Sequence, residues 1–392
     1  MKMNKITYLV LGLAMIASSC AVNEINEEKL PAGEYVRLSL TGGDGSADPT
    51  GVTRATWDDP NGKGSLGFKW EDVAIDSDET EELLMIVSNG ATALTNQDTP
   101  EAGASGHTHT GAAVITGADP HLASFETVRY YSTDDLNKAK YVYAVAGGAD
   151  VTTEGNKHIC SLEMPSSFTQ GEDQNPSFLR DYMYMYAAGA YNANSNTRLY
   201  FKHIPATFRF IISNGSESAV TIESFSVSVV DGGAVASKTA DVTFGMDANR
   251  AEVSFGADAH ETVTTNLPNN GVTVQKGNKY TTYALVLPLA SNEAFAGKVI
   301  KFIAKTNDGK NLTYLLEGAT LANANGANSG IYNWVGGKSY TIKFNIGDGG
   351  KTSGTMLSNK DITVATTVGG SFTLKYVEIG RASCRERVCL SV

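Results

Sequence analysis

Short stretches in which apolar and polar residues alternate recur along this chain, and turn-forming residues separate them. The residues 339–346 (SYTIKFNI) alternate strictly, and comparable runs occur at 34–40, 225–229 and 283–289. When apolar residues recur at every second position, they all lie on one face of the segment, which can pack against a core. This pattern is typical of β-strands. No segment predicts a capped helix of more than a few turns. The sequence therefore predicts an all-β protein, and regularly spaced short strands favour β-sandwiches.

Two connections between predicted strands differ in character. The residues 307–310 (NDGK) lie between apolar runs at 300–306 and 312–316. Gly309 accepts the positive φ that a tight turn needs, so a β-hairpin is predicted here. By contrast, the residues 89–110 show no sustained period and predict a long exposed loop.

The N-terminus has the features of an export signal. Lys2 and Lys5 precede an apolar run at 6–17 that is too short to span a bilayer, and small residues lead into Cys20. This pattern is similar to a bacterial lipoprotein signal, which implies cleavage before Cys20 and acylation of its thiol. The predicted signal is residues 1–20. Cleavage would remove it as far as Ser19, and the lipid on Cys20 would attach the folded part to a membrane. The alternative is an ordinary secretory signal in which Cys20 has no role.

The other end of the chain differs in composition from the rest. The residues 378–392 (EIGRASCRERVCLSV) resemble the translated read-through of a sequencing adapter, and we expect them to be an artefact that contributes nothing to the fold. Cys384 and Cys389 are therefore not interpreted as a disulfide or a metal site. Apart from Cys20, this leaves Cys160, which is predicted to be a small buried hydrophobe.

Charge and length limit the classes of partner and the domain count. The chain has 42 acidic and 31 basic residues, with a net charge of −11. Phosphate binding requires clustered Lys and Arg, so nucleic acid is not predicted as a partner. A length of 392 residues predicts two domains.

The sequence contains no recognisable catalytic motif. It has no nucleophile elbow, zinc-protease motif, phosphate loop or dinucleotide fingerprint, so neither an enzyme nor a cofactor is predicted. His107 and His109, with His121 nearby, are candidate metal ligands, but the absence of a neighbouring carboxylate predicts no metal site. His203 lies among apolar strand residues and is interpreted as a core histidine.

The three tryptophans have two interpretations. Trp57, Trp70 and Trp334 offer flat apolar faces on which sugar rings stack in glycan-binding proteins. Core packing is the more common role for this residue type, and it is the interpretation preferred here.

Several segments occur in the order found in the Bacteroidetes fimbrillins, the lipoprotein subunits of type V pili. The segments that carry the resemblance are 53–57 (TRATW), 67–72 (GFKWED), 141–144 (YVYA), 201–203 (FKH), 208–210 (FRF), 287–288 (LP) and 336–340 (GGKSY). Each is weak alone, but their order and the N-terminal signal make the resemblance more specific. It covers the residues 34–346.

The resemblance implies two tandem transthyretin-like β-sandwich domains and assembly by strand exchange. A tether at 21–33 would lead to a first domain at 34–198 and a second at 199–347. The residues 348–377 would supply extra strands, either donor strands or the start of a further domain.

The resemblance also implies a processing site. A protease would cut between Arg54 and Ala55, and the strand that contains Val36, Leu38 and Leu40 would be released so that a donor strand could replace it. The alternative is that Arg54 is a plain loop residue.

The resemblance therefore implies a structural subunit of a surface pilus, adhesive or not, in a stalk, anchor or tip role. Its partners would be other pilus subunits, the outer membrane through the N-terminal lipid, and a host or bacterial surface ligand. The alternative function is a non-polymerising outer-membrane lipoprotein that binds glycans.

The first test concerns the lipid. Replacement of Cys20 by Ser should abolish incorporation of radiolabelled palmitate, because Cys20 supplies the thiol to which the predicted signal implies lipid attachment. Cys160→Ser is the control and should label like the wild type. Equal labelling of the wild type and Cys20→Ser would show that this thiol carries no lipid.

Overall fold

The structure is a computed structural model, and it describes the residues 32–44, 67–68, 82–107, 110–118, 123–147, 150–172, 176–193, 197–326, 329–347, 352–361 and 363–364. The predicted signal with Cys20, the processing site at Arg54 and Ala55, the tryptophans Trp57 and Trp70, and the residues 378–392 lie outside the described residues.

The described residues are mostly strands. In chain order the strands are β1 Tyr35–Asp44, β2 Gly67–Phe68, β3 Glu82–Ser88, β4 Thr110–Ala118, β5 Ala123–Ser132, β6 Tyr141–Ala146, β7 Asp150–Glu154, β8 Lys157–Glu163, β9 Ser167–Thr169, β10 Met185–Ala190, β11 Arg198–His203, β12 Ala206–Asn214, β13 Val220–Val229, β14 Ala236–Ser237, β15 Thr239–Gly245, β16 Ala251–Phe255, β17 Ala259–His260, β18 Thr262–Asn266, β19 Val272–Val274, β20 Lys279–Val286, β21 Val299–Thr306, β22 Asn311–Glu317, β23 Lys338–Ile346, β24 Thr352–Asp361 and β25 Thr363–Val364. Short α-helices span Thr133–Leu136 and Gly318–Asn325, and 3₁₀ helices span Pro176–Tyr182 and Pro268–Asn270. The prediction of an all-β protein is confirmed. No helix in the described part of the chain is long and apolar enough to cross a membrane.

Seven strands form a closed sheet in the order β1-β11-β10-β6-β3-β4-β5, in which β5 returns to β1. All neighbours are antiparallel except β1 and β11, which run parallel. Alternation decides which side chains face inward. In β6, Val142 and Ala144 join the core inside the closed sheet, whereas Tyr143 and Val145 point outward.

Two further sheets face each other across an aromatic core and form a β-sandwich. One has the order β20-β12-β23-β24, and the other has the order β22-β21-β13-β18-β9 with β19 paired to β13. Rings from the two sheets meet between them: Phe210 lies 5.3 Å from Phe225, and Phe225 lies 6.0 Å from Phe344, measured between ring centroids. Phe344 and Ile342 are fully buried, so the late alternating strand is core, as its sequence predicts.

A four-stranded sheet, β16-β15-β8-β7, connects the sandwich region with the closed sheet. The Tyr143 hydroxyl on β6 lies 2.7 Å from both the Gly245 and the Ala248 carbonyl oxygens, at the turn between β15 and β16. The Tyr143 ring packs 5.0 Å from that of Phe244. Cys160 on β8 is fully buried here, as predicted.

Strand pairing does not follow the predicted division at 198/199. The sequence assigns 201–203 to the start of the second domain, but they belong to β11 of the closed sheet. Conversely, β7 and β8 come from the first predicted domain, yet β8 pairs with β15 along its whole length. Alternation identifies a strand but not its partner, because many strands present similar apolar faces. The domain limits themselves remain a prediction.

The two predicted connections have different outcomes. The hairpin is confirmed: β21 and β22 pair antiparallel up to Lys305 and Asn311, and Gly309 has a φ of +80°. The segment between β3 and β4 is a loop, but it is not simply exposed. Gln97 exchanges two backbone hydrogen bonds with Tyr130 on β5 and is 4% exposed. The Gln97 side-chain amide also donates to the carbonyl oxygens of Thr99 and Glu101, which satisfies polar groups that periodicity does not reveal.

Candidate functional site: the first strand of the closed sheet

The strand β1 presents one fully buried face to the interior of the closed sheet. Val36, Leu38 and Leu40 are 2%, 1% and 0% exposed. The predicted alternation is therefore real, and these three side chains are core. Full burial of a large aliphatic side chain contributes about 1.5–3 kcal/mol relative to exposure, so this face contributes roughly 5–9 kcal/mol.

β1 is an inner strand over part of its length. It pairs antiparallel with β5 from Tyr35 opposite Ser132 to Gly42 opposite Ala123. It pairs parallel with β11 only from Thr41 opposite Arg198 onward, through Asp44. The residues 35–40 of β1 thus pair only with β5, Thr41 and Gly42 pair with both neighbours, and Gly43 and Asp44 pair only with β11.

A bulge in the middle of β1 is held by a side chain. The register with β5 shifts between Arg37 and Ser39. At this point the Leu38 amide donates to the Thr127 hydroxyl oxygen at 2.8 Å, and that hydroxyl donates to the Arg129 carbonyl oxygen, also at 2.8 Å. Thr127 is 1% exposed, so it replaces a backbone partner in a place that water does not reach.

The start of β1 is fixed by Thr133, the first residue of the helix Thr133–Leu136. The Thr133 amide donates to the Glu34 carbonyl oxygen at 2.9 Å, and the Glu34 amide donates to the Thr133 hydroxyl oxygen at 3.2 Å. Arg37 adds an ion pair with Glu126 at 3.4 Å and lies 4.9 Å above the Tyr130 ring. The Arg37 side chain is partly exposed, so the ion pair contributes less than about 1 kcal/mol.

The neighbours of β1 bring aromatic side chains to the same core. Phe125 on β5 lies opposite Leu40, and Tyr131 lies opposite Val36. The ring of Phe125 lies 5.6 Å from that of Phe201 on β11. Burial raises the pKa of Tyr131 to about 12. Loss of β1 would therefore expose these rings and leave unpaired backbone groups on β5 and β11. Another strand could pair with these backbone groups and cover the rings.

The strand β24 lies at the edge of the sandwich. It pairs antiparallel with β23, from Thr352 opposite Ile346 to Asp361 opposite Lys338. The sequence predicted strand-like runs at 361–367 and 371–377, and it missed most of β24 because the residues 352–361 (TSGTMLSNKD) alternate weakly. Of the predicted runs, the structure describes Asp361 and the short strand β25; the rest lies outside the described residues.

The other residues singled out by the sequence lie apart from β1. His203 is buried, and burial lowers its pKa to about 3, consistent with a core histidine. Trp334 is 1% exposed, and its indole N–H donates to the Val235 carbonyl oxygen at 2.9 Å, so it is a core residue and not a surface for sugar. The expectation that His107 has no carboxylate near it is wrong, because its Nε2 atom lies 2.6 Å from an Asp98 carboxylate oxygen, whereas His109 and His121 lie outside the described residues. Within the described ranges, no group of three or more His, Cys, Asp or Glu is placed to hold a metal ion.

Comparison with known proteins gives one family match. The profile of the fimbrillin-like family matches the residues 90–370. This match supports a role as a pilus subunit or adhesin at the cell surface, where the chain would assemble with other pilus subunits. It favours a structural role over a catalytic one. No curated protein matches the sequence.

Several solved structures are similar at low identity. A candidate cell adhesion protein from Bacteroides uniformis has 13% identity and a TM-score of 0.44, and the alignment covers 84% of this chain and 99% of that one. A candidate cell adhesion protein from Bacteroides ovatus has 13% identity and a TM-score of 0.44, with coverage of 76% and 96%. The fimbrial anchor protein Mfa2 from Porphyromonas gingivalis has 7% identity and a TM-score of 0.31, with coverage of 76% and 97%. Similarity at this level carries no functional information.

The contribution of β1 can be measured by a matched pair of substitutions. Leu38→Ala should lower the free energy of unfolding by about 2–5 kcal/mol, because it leaves a cavity in the closed sheet. Leu315→Ala removes the same atoms from a side chain that is 54% exposed on β22, and it should cost less than about 1 kcal/mol. Urea unfolding of both variants checks this. Equal costs for the two would contradict the placement of Leu38 in the core.

Proposed function

Because this chain belongs to the fimbrillin-like family, we propose that it is a pilus subunit that assembles by donor-strand exchange after proteolysis. The chain would be exported as a lipoprotein, with Cys20 acylated and the precursor held at the outer membrane. Cleavage between Arg54 and Ala55 would separate β1 from the rest of the chain. A strand from the next subunit would then take the place of β1.

The observation that carries this proposal is the position of β1. It is the first strand in the described part of the chain, it closes a sheet, and its three apolar side chains are buried. Arg54 follows β1 in the sequence and precedes the other strands of the closed sheet. One cut there would free β1 to leave without breaking the connections among its former neighbours.

The parallel pairing supports the same proposal. β1 and β11 are far apart in sequence and share only the residues from Thr41 to Asp44 and from Arg198 to Phe201. Parallel pairs are slightly less stable per residue than antiparallel pairs, so β11 holds β1 weakly compared with β5. We expect separation of β1 to begin along β11.

The strand β24, or the residues that follow it, would supply the donor. An edge strand has one free row of backbone groups and is held on one side, which makes it easier to detach than an inner strand. Stalk, anchor and tip roles are all compatible with this proposal.

Digestion with an arginine-specific protease, followed by size-exclusion chromatography, tests the proposal. The intact precursor should remain monomeric, and cleavage at Arg54 should produce oligomers because the core of the closed sheet becomes available to a donor strand. Arg54→Ala should abolish the oligomers. Arg250→Ala is the matched control, since Arg250 is a highly exposed arginine between β15 and β16 and its removal should change nothing.

The opposite result has a definite meaning. If the chain is cut at Arg54 and the product remains a stable monomer, donor-strand exchange is wrong. If that monomer also binds an oligosaccharide, the non-polymerising glycan-binding lipoprotein replaces the pilus subunit as the best account.

A further inference from the structure

We propose that a cleft at one edge of the β-sandwich is a binding subsite for a neutral saccharide. The cleft has a volume of about 460 Å³, within the range of small-molecule sites. It lies against the 3₁₀ helix Pro268–Asn270, β19 and the start of β20. Its polar lining consists of Glu172, Asn269, Thr273, Asn278, Lys279 and the buried Tyr280. The inference goes beyond the proposed assembly and concerns the surface ligand of such a subunit, so it rests on the proposed function only for its biological purpose.

The backbone beside the cleft is held in an uncommon conformation. Asn269 and Asn270 have φ values of +56° and +59°, and they are the non-glycine residues with positive φ in the described part of the chain. Gly271 follows with a φ of +134°, and a Cβ there would lie 3.0 Å from the Ile222 carbonyl oxygen. Asparagine tolerates this region better than most residues, but two in succession are unusual. Such conformations cluster at ligand-binding sites, where the surrounding structure maintains them.

This conformation places a hydrogen-bonding pair on the cleft wall. The Asn269 side-chain amide donates to the Glu172 carboxylate oxygen Oε1 at 2.8 Å. A carboxylate accepts up to about four hydrogen bonds, so Glu172 keeps capacity to accept from a ligand hydroxyl. Both side chains are exposed, so the carboxylate is open to a ligand.

Apolar side chains form the smaller part of the cleft lining. Val272, Val274 and Tyr280 contribute to it, and Tyr280 is 5% exposed. The Gln170 side-chain amide lies 3.2 Å from the Tyr280 hydroxyl and 3.2 Å from the Thr281 carbonyl oxygen. Gln170 is itself 2% exposed, so the tyrosine is held by a polar group shielded from solvent.

The mixture of groups indicates the class of ligand. Glu172 and Lys279 contribute one charge of each sign, so the cleft does not favour a strongly charged ligand. Asparagine amides, a threonine hydroxyl, a carboxylate and an ammonium group supply both acceptors and donors, and Val272 adds apolar surface. A sugar ring presents hydroxyls that donate and accept at its rim and C–H groups on its faces. A neutral saccharide therefore matches the cleft better than a phosphate or an acidic peptide.

Titration of the intact, isotope-labelled chain with simple sugars tests this inference by NMR. The probes are methyl α-mannopyranoside, methyl β-galactopyranoside and N-acetylglucosamine, with inorganic phosphate as the charged comparison. At least one sugar should give saturable shift changes in Val272–Val274 at millimolar concentration, and phosphate should not.

Two variants and one control locate the binding. Asn269→Gly keeps the left-handed backbone and removes the amide, and Glu172→Gln removes the charge with little change of shape. Each should weaken binding about tenfold or more, the effect of losing one good hydrogen bond. Glu217→Gln is the control, because Glu217 pairs with Lys276 at 2.6 Å outside the cleft lining.

Each outcome decides the inference. It is overturned if no sugar binds, if phosphate binds at least as well, or if neither cleft variant weakens binding more than Glu217→Gln does. If Asn269→Gly folds poorly, Glu172→Gln alone carries the test, provided that its thermal unfolding is the same as that of the wild type. Because the intact chain is used, failure here leaves strand exchange untouched, and failure of strand exchange leaves sugar binding measurable.

Discussion

The burial of one face of β1 inside the closed sheet is the interaction on which the rest of the structure depends. Leu40 packs opposite Phe125, and Val36 packs opposite Tyr131, so the strand joins β5 to the core through side chains as well as backbone. Without β1, the sheet has two open edges and an exposed aromatic interior. The same interaction would leave a vacancy of defined shape if β1 were released, and this vacancy is the physical basis of the proposed assembly.

The closed sheet is attached to the remainder of the molecule through its outer surface. The Tyr143 hydroxyl holds the turn between β15 and β16, and the Ser88 hydroxyl donates to the Met246 carbonyl oxygen at 2.6 Å. Burial raises the pKa of Tyr143, so this hydroxyl remains protonated and able to donate. These contacts come from β3 and β6. In the strand order of the closed sheet, β3 and β6 are the strands farthest from β1. Release of β1 can therefore open the closed sheet while its attachment to the four-stranded sheet is kept.

Much of this organisation is local and could be predicted from the sequence. The strand at 339–346, the hairpin at 307–310 and the burial of Val36, Leu38 and Leu40 all follow from alternation and from turn chemistry. Partner choice is not local, and this is why the positions of β11 and β8 were not predicted. The role of Thr127 in the β1 bulge and that of Gln97 in its loop depend on backbone groups that meet only in the folded chain. The cleft was missed for the same reason, since Glu172 and Asn269 are nearly one hundred residues apart, |i−j| = 97.

Hydrogen exchange of the full chain with and without Leu40→Asp tests most directly the claim that β1 is a separable part that completes the closed sheet. A buried, unpaired carboxylate should expel β1 without altering the sandwich. We predict that the amides of β5 and β11 lose protection, while those of β12 and β23 exchange as in the wild type. Unchanged protection of β5 and β11, or equal loss of protection throughout the chain, would contradict the account.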